Sequence, residues 1–197
     1  MEIKNQPAFT SRIIVLNGNQ HWDYLLSKKN RTLCKVDDIV LDKFAYTDGA
    51  ATCLAGSIMN RANKSLCSVL HMCMPNEIDV NKILANVNKL NMPENPANIF
   101  ITGGESPWFL SERYFKFVMQ SLDNLKQRIS VIWGQKDAGY TNFICDAEHD
   151  IIAINHSGND GKEIKNLADL RDVYEKVEIA DGDELFFGEQ HLPQYFL

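Results

Sequence analysis

The sequence predicts an α+β fold, because a β-rich stretch, two helical patterns and a second group of strands follow one another along the chain. The β-rich stretch covers residues 43–75, and the helical patterns cover 76–90 and 111–126. The 197 residues are 45% hydrophobic and 23% charged, which is typical of a packed globular domain. The net charge of -6 argues against a protein that coats nucleic acid by neutralising phosphates.

Each element is predicted from local signals. Apolar residues recur at mostly helical spacing in 76–90, and Pro93 and Pro96 end that pattern. The second helix is predicted at 111–126, with Ser111 as its N-cap. Further strands are predicted at 11–16, 98–102, 129–133, 142–145 and 151–155, and further helices near 21–29 and 167–176.

A predicted hairpin at the end of the β-rich stretch carries the candidate chemistry. Apolar runs at 51–59 and 65–74 flank the polar segment 60–64. A three-residue loop at 61–63 places Cys53 directly opposite His71 on one face, with Cβ atoms about 4.5–5.5 Å apart. A thiol beside an imidazolium has a lowered pKa and becomes a nucleophile. The inference depends on register, because a slip by one residue turns one side chain to the other face.

The same residues have plainer interpretations. Cys53 is also explained as a small core hydrophobe, and His71 as a strand residue with satisfied hydrogen bonds. Cys67, His71 and Cys73 share one strand face, but C-x3-H-x-C is not a usual zinc pattern, so no metal and no cofactor are predicted. The segment Gly103-Gly104-Glu105-Ser106 lacks the lysine of a phosphate loop and is interpreted as a sharp turn that lines the mouth of the site.

Several motifs, in one order, resemble the bacterial chemotaxis glutamine deamidase CheD. The segments Thr47-Asp48-Gly49-Ala50-Ala51-Thr52-Cys53 and Leu70-His71-Met72-Cys73-Met74-Pro75 are similar to those that form the active site of that family. The strand into Gly103-Gly104, the segment Ser111-Glu112-Arg113 and the closing strands at 129–154 follow in the same order as in the family. The resemblance covers about residues 40–156.

The resemblance implies layered, mixed β-sheets with helices outside. It also implies Cys53 as the nucleophile, His71 as the general base and acid, and Thr47 as the hydroxyl that orients the imidazole. The implied reaction converts a glutamine side chain of a protein substrate into glutamate through a thioester. If an amine captures the thioester instead of water, the outcome is transglutamination, and the sequence does not separate the two.

Two further groups of residues follow from the resemblance. The tight turn at Gly49 and Thr52 is expected to offer backbone N–H groups to the oxyanion. Gly103, Gly104 and Glu105 are expected to contact the substrate.

The chain departs from the family at three places. The family's Gly-Leu-Gly-Ser-Cys is here Gly49-Ala50-Ala51-Thr52-Cys53, Tyr114 replaces an asparagine, and Thr141-Asn142 replaces Gly-Arg. The last two changes fall where substrate contacts are expected. A different class of function is therefore kept as an alternative: a CheD-like module without turnover that binds a protein partner, as CheD pairs with the phosphatase CheC.

The predicted organisation has three parts: an N-terminal extension packed on the core (1–39), a CheD-like catalytic domain (40–156) and an acidic C-terminal appendage (157–197). Five scattered cysteines without a CxxC pair indicate reduced thiols in a cytosol, and no apolar stretch is long enough to span a membrane as a helix. The acidic block followed by the apolar end, residues 191–197, resembles type IV secretion signals, so export to a host cytosol is a second expectation.

Overall fold

Two six-stranded β-sheets and four α-helices make up the part of the chain that a computed structural model describes, which is residues 11–92, 95–106, 108–123, 125, 127–158 and 161–193. Residues 1–10 of the predicted extension lie outside this part. So do residue 126, at the end of the second predicted helix, and residues 194–197 of the apolar end.

The strands are, in chain order, β1 (Arg12–Leu16), β2 (Thr32–Leu33), β3 (Asp38–Asp42), β4 (Phe44–Ala50), β5 (Leu54–Met59), β6 (Cys67–Met72), β7 (Asn98–Glu105), β8 (Arg128–Gln135), β9 (Tyr140–Asp146), β10 (Ile151–Ser157), β11 (Tyr174–Glu178) and β12 (Glu184–Phe187). The helices are α1 (Gln20–Ser27), α2 (Glu77–Leu90), α3 (Phe109–Asp123) and α4 (Leu167–Val173), and a 3-10 turn covers Glu189–His191. The first sheet has the order β12-β1-β10-β9-β4-β2, and the second has the order β11-β8-β7-β5-β6-β3.

The two sheets pack face to face, and helices cover their outer faces. Because side chains alternate along a strand, Ile13 and Val15 of β1 face the second sheet, whereas Ile14 packs with α1. On the other side, Ile83 of α2 and Val118 of α3 pack on the second sheet. Parallel pairs such as β7–β8 occur beside antiparallel pairs such as β5–β7. The predicted α+β class with layered, mixed sheets is therefore confirmed.

The segments that flank residues 40–156 contribute strands to both sheets. β1 lies between β10 and β12 and pairs in parallel with each of them. β11 pairs with β8 at the edge of the second sheet. The predicted helix at 167–176 ends early at Val173, because Tyr174 begins the strand that pairs with Gln135 of β8. The residues predicted as an extension and an appendage thus complete sheets that the central segment begins.

The β5–β6 hairpin has a longer loop than the sequence suggested, and the predicted register is wrong. Met59 pairs with Cys67 and Ala55 pairs with His71, so the loop is residues 60–66. The side chain of Asn63 accepts hydrogen bonds from the N–H groups of Ser65 and Leu66, which lengthens the turn. The ladder is displaced by two residues, and a shift of two keeps each side chain on its predicted face.

Among the described helices, none has the length and apolar character that a membrane crossing requires. The start of α2 follows from local sequence: the side-chain oxygen of Asn76 accepts from the first N–H groups of the helix, and the Asp79 carboxylate accepts from the N–H of Asn76. Helix α3 begins earlier than predicted. It starts at Phe109, so Ser111 is its third residue and not its N-cap.

Candidate active site

A hydrogen bond between Thr47 and His71 joins the two sheets at one end of the layer between them. Thr47 lies on β4 of the first sheet and His71 on β6 of the second, and both are buried. The Thr47 hydroxyl donates to the carbonyl of Cys34 over 2.8 Å, and its oxygen lies 2.6 Å from Nδ1 of His71. Since the single hydroxyl proton is used on Cys34, Nδ1 must carry the proton that it donates to Thr47. The imidazole is therefore held in one tautomer.

That tautomer leaves Nε2 of His71 with a free lone pair. Nε2 is buried and has no hydrogen-bond partner among the described residues. Burial lowers the pKa of His71 below its ordinary value of 6.5, while the carboxylates of Asp48 and Asp37 act in the opposite direction. A neutral imidazole whose Nε2 is free is the form that a general base requires.

Cys53 lies one residue before β5, on the strand face that carries His71. Its backbone extends the pairing with β7 by one step, because Gly104 N–H donates to the Cys53 carbonyl over 2.9 Å. The register makes Cys53 a diagonal neighbour of His71, because His71 pairs directly with Ala55. Diagonal neighbours are within reach of a long or aromatic side chain. No hydrogen bond joins the thiol to the imidazole in the part of the chain described here.

The thiol of Cys53 is neutral at rest. Burial, followed by the neighbouring Cys73 thiol, raises the pKa of Cys53 to about 12. The expectation that an imidazolium lowers this pKa is wrong, because burial has the largest effect on Cys53 and raises its pKa, and burial also lowers the pKa of His71. Both shifts favour an uncharged thiol and an uncharged imidazole.

The backbone around Cys53 is tied down through its carbonyl groups. Gln135 Nε2 donates to the Ala50 carbonyl over 2.9 Å, and Ser111 Oγ donates to the Thr52 carbonyl over 2.7 Å. Gln135 and Ser111 are themselves buried. The N–H groups of Thr52 and Cys53 have no assigned acceptor among the described residues. Backbone N–H groups are the kind of donor that an oxyanion requires.

Residues of the first sheet hold the turn before Cys53 in place. Gly49 has a φ of +65°, at a register shift between Thr47 and Ala50 in the pairing with β9. Its N–H donates to Oδ1 of Asn142 over 3.1 Å, and Nδ2 of Asn142 donates to Oδ1 of Asn155 over 3.2 Å. A bulge of this kind re-aims the chain beside a site. Asn142 is buried and engaged in these hydrogen bonds, and the expectation that it falls where the substrate contacts lie stays a prediction.

Gly103 and Gly104 lie within strand β7, so the sharp turn predicted there is wrong. A Cβ at Gly103 would lie 2.6 Å from the Cys53 carbonyl oxygen, and one at Gly104 would overlap the indole of Trp133. The φ angles of these glycines, +88° and +70°, are in the region that favours glycine. They let β7 approach Cys53 closely. A role of Gly103, Gly104 or the half-buried Glu105 in substrate binding stays a prediction.

The zinc alternative has no geometric support in the described residues, where no cluster of three or more His, Cys, Asp or Glu side chains is placed to hold a metal ion. The thiol of Cys67 points into the layer between the sheets, where the carbonyl oxygens of Asp42 at 3.3 Å and Cys145 at 3.5 Å are alternative acceptors for its single proton. Cys67 is thus the small core residue of the plainer interpretation.

Sequence reasoning gave no role in the site to several groups that hold it. They are the Cys34 carbonyl behind Thr47, the side chains of Ser111 and Gln135, and the carboxylates of Asp37 and Asp48. The sequence indicates Ser111 only as a helix N-cap. No sequence pattern links Gln135 to the site, because it lies 82 positions from Cys53 in the chain.

A scan of the chain against models of known protein families finds no match, and no curated protein matches its sequence.

Proposed function

We propose that this chain is a CheD-like protein-glutamine deamidase, with Cys53 as the nucleophile, His71 as the base and acid, and Thr47 as the residue that orients the imidazole. The observation that carries the proposal is the hydrogen bond between Thr47 and Nδ1 of His71, since it leaves Nε2 free on the strand face that carries Cys53. The hydrogen bond to Thr47 distinguishes His71 from His21, a buried histidine whose two ring nitrogens have no partner among the described residues.

The reaction follows from these groups. As the sulfur of Cys53 attacks the side-chain carbonyl of a glutamine, the thiol proton passes to Nε2 of His71. The oxyanion of the tetrahedral intermediate accepts hydrogen bonds from the backbone around Thr52 and Cys53. His71 then protonates the departing ammonia, and a thioester remains. Water loses a proton to His71, attacks the thioester and releases glutamate together with the thiol.

Exposed apolar side chains support a protein substrate. Val36 and Phe109 are 53% and 69% exposed, and Met74 and Trp108 are 59% and 40% exposed. Val36 and Met74 are the chain neighbours of Asp37 and Cys73, and Trp108 and Phe109 precede Ser111, so we expect them to border the site. Apolar side chains gathered around a site suit contact with another macromolecule.

The test is ammonia release from a protein whose glutamines are exposed, such as casein or a chemoreceptor cytoplasmic domain. The wild-type chain should release ammonia and raise the mass of one or more peptides by the change from glutamine to glutamate. Cys53→Ala should release none, while the matched variant Cys73→Ser should keep the activity under reducing conditions. Equal ammonia release by wild type and Cys53→Ala would overturn the proposal.

One observation favours the second candidate, a CheD-like module that binds a protein partner without turnover. The raised pKa of Cys53 and the missing thiol–imidazole hydrogen bond are what a silent site would show. Apo sites also have long catalytic contacts that tighten with substrate, so this observation does not outweigh the free Nε2. If the chain binds a CheC-type phosphatase but neither releases ammonia nor joins an amine to glutamine, it is a binding module without turnover.

We also propose a reducing cytosol as the place of action, since all five cysteines are free thiols. Whether that cytosol is bacterial or belongs to a host reached by type IV secretion is decided by the substrate. A mass-spectrometric search for glutamine sites converted to glutamate, in cells that express the chain, would name it.

A further inference from the structure

The cysteines fall into two groups by exposure. Cys53 and Cys73 are half-buried, whereas Cys34, Cys67 and Cys145 are fully buried. Each buried thiol is engaged with carbonyl or thioether atoms of the core. Only the first two can meet a reagent from solvent without unfolding, and they lie at the same end of the hairpin.

The register places Cys53 and Cys73 opposite each other. Leu54 pairs with Met72 at the end of the β5–β6 ladder, so the next step outward brings Cys53 to Cys73. The carbonyl of Cys53 accepts from Gly104 on β7, and the N–H of Cys73 donates to Oδ1 of Asp37 on the opposite side. The two residues therefore direct their backbone groups away from each other.

Opposed residues that do not bond to each other form the closer type of antiparallel pair, with Cα atoms about 4.5 Å apart and side chains closer than in the bonded type. A disulfide needs Cα atoms about 4.4–6.8 Å apart. The two thiols are close enough for Cys73 to raise the pKa of Cys53. The Cα spacing typical of such a pair lies within the range that a disulfide requires.

We propose that Cys53 and Cys73 form a reversible disulfide in the presence of hydrogen peroxide, and that this bond takes the nucleophile out of action. Peroxide transfers one oxygen to one thiol sulfur, which becomes a sulfenic acid, and a water molecule is released. The second thiol attacks the sulfenic sulfur, the S–S bond forms, and a second water leaves. The sulfur pair loses two electrons and the O–O bond gains them. A dithiol reductant reverses the change by thiol–disulfide exchange. The effect on turnover rests on the proposed deamidase function, while bond formation does not.

The experiment uses the full chain treated with hydrogen peroxide, blocked with N-ethylmaleimide and digested without reductant. We expect a peptide pair joined through Cys53 and Cys73. In the denatured protein, the number of thiols that react with maleimide should fall from five to three. Dithiothreitol should restore all five, and ammonia release should be lost and regained in parallel. In Cys73→Ser, peroxide should over-oxidise Cys53 and the loss should become irreversible.

The outcomes separate the two proposals. If the joined peptide forms but the reduced chain never releases ammonia, the deamidase proposal fails and the disulfide stands. If the reduced chain is active and peroxide yields only separate sulfinic acids or leaves all five thiols, the disulfide inference is overturned and the deamidase proposal stands. A joined peptide in a chain whose ammonia release is unchanged would overturn the inhibitory role.

Discussion

The hydroxyl oxygen of Thr47 lies 2.6 Å from Nδ1 of His71, across the boundary between the two sheets. Both residues are buried, and the threonine hydroxyl donates its own hydrogen bond to the carbonyl of Cys34. One hydrogen bond therefore sets both the tautomer and the orientation of the imidazole. The remaining nitrogen becomes an acceptor on the face that Cys53 shares.

Replacing Thr47 by valine removes the acceptor for Nδ1 and keeps the side-chain shape. An unsatisfied buried donor costs about 1–3 kcal/mol, so kcat should fall about 10- to 100-fold. Thr47→Ser should retain most of the activity. Nitrogen NMR of labelled His71 should show the Nδ1–H tautomer in the wild type and a mixture in Thr47→Val, and a mixture in the wild type would contradict the assignment.

The raised pKa of Cys53 predicts how its alkylation depends on pH. Because the thiolate is scarce below a pKa of about 12, the rate of reaction with iodoacetamide should increase about tenfold per pH unit from pH 7 to 10, with no plateau. The unfolded chain is the control and should level off near the ordinary thiol pKa of about 8.5. A plateau at or below that value in the folded chain would establish a preformed thiolate–imidazolium pair instead.

The pH dependence of kcat/KM should follow the protonation of His71. The imidazole must be neutral to accept a proton, and burial lowers its pKa below 6.5, so activity should persist at pH 6.5 and be lost only at lower pH. Asp48 raises this pKa, so the exposed substitution Asp48→Asn should move the acid limb to still lower pH. If the acid limb of Asp48→Asn moves to higher pH or does not move, a group other than His71 controls it.

Ser111 is predicted to position the backbone that receives the oxyanion. Ser111→Ala removes the hydrogen bond to the Thr52 carbonyl, and we expect kcat to fall about 10-fold with little change in KM, less than the cost of removing an oxyanion donor itself. Ser121→Ala is the matched control on the same helix, since Ser121 bonds only to the Phe117 carbonyl there. A loss of stability without a change in kcat would show that Ser111 is only structural.

Asp146 should stabilise the fold in a pH-dependent way. Burial raises the pKa of this carboxyl, but hydrogen bonds from Lys28 and Tyr24 outweigh it and hold the pKa below its ordinary value. The stabilisation is therefore present above the unfolded pKa of about 3.9 and is lost as the pH falls through the lower folded pKa. Urea unfolding at pH 7 should show that Asp146→Asn loses about 1–3 kcal/mol.

The exposed pair of Glu148 and Lys43 provides the control for that measurement. Glu148→Gln should leave the urea midpoint unchanged, because exposed ion pairs contribute little. A deficit in Asp146→Asn that persists once the carboxyl of the folded wild type is protonated would show that packing, and not the carboxylate charge, is responsible.

The hairpin shows why the candidate site was only partly predictable. The pattern of apolar and polar residues set which face Cys53 and His71 occupy, because side chains alternate along a strand whatever the loop length. It did not set their register, since the side chain of Asn63 lengthens the turn through hydrogen bonds that no periodicity reveals. A displacement by two residues preserved the face and changed the direct partner of Cys53 from His71 to Cys73.

The sequence by itself determined the α+β class, most of the strands and helices and the shared face of the thiol and the imidazole, because these depend on local spacing and apolar periodicity. Only the tertiary structure decided the neutral state of the pair, the hydrogen bond from His71 to Thr47 and the anchors at Ser111 and Gln135. Each of these depends on burial or on contacts between distant segments. Desolvation and hydrogen-bond geometry exist only once the two sheets are packed together.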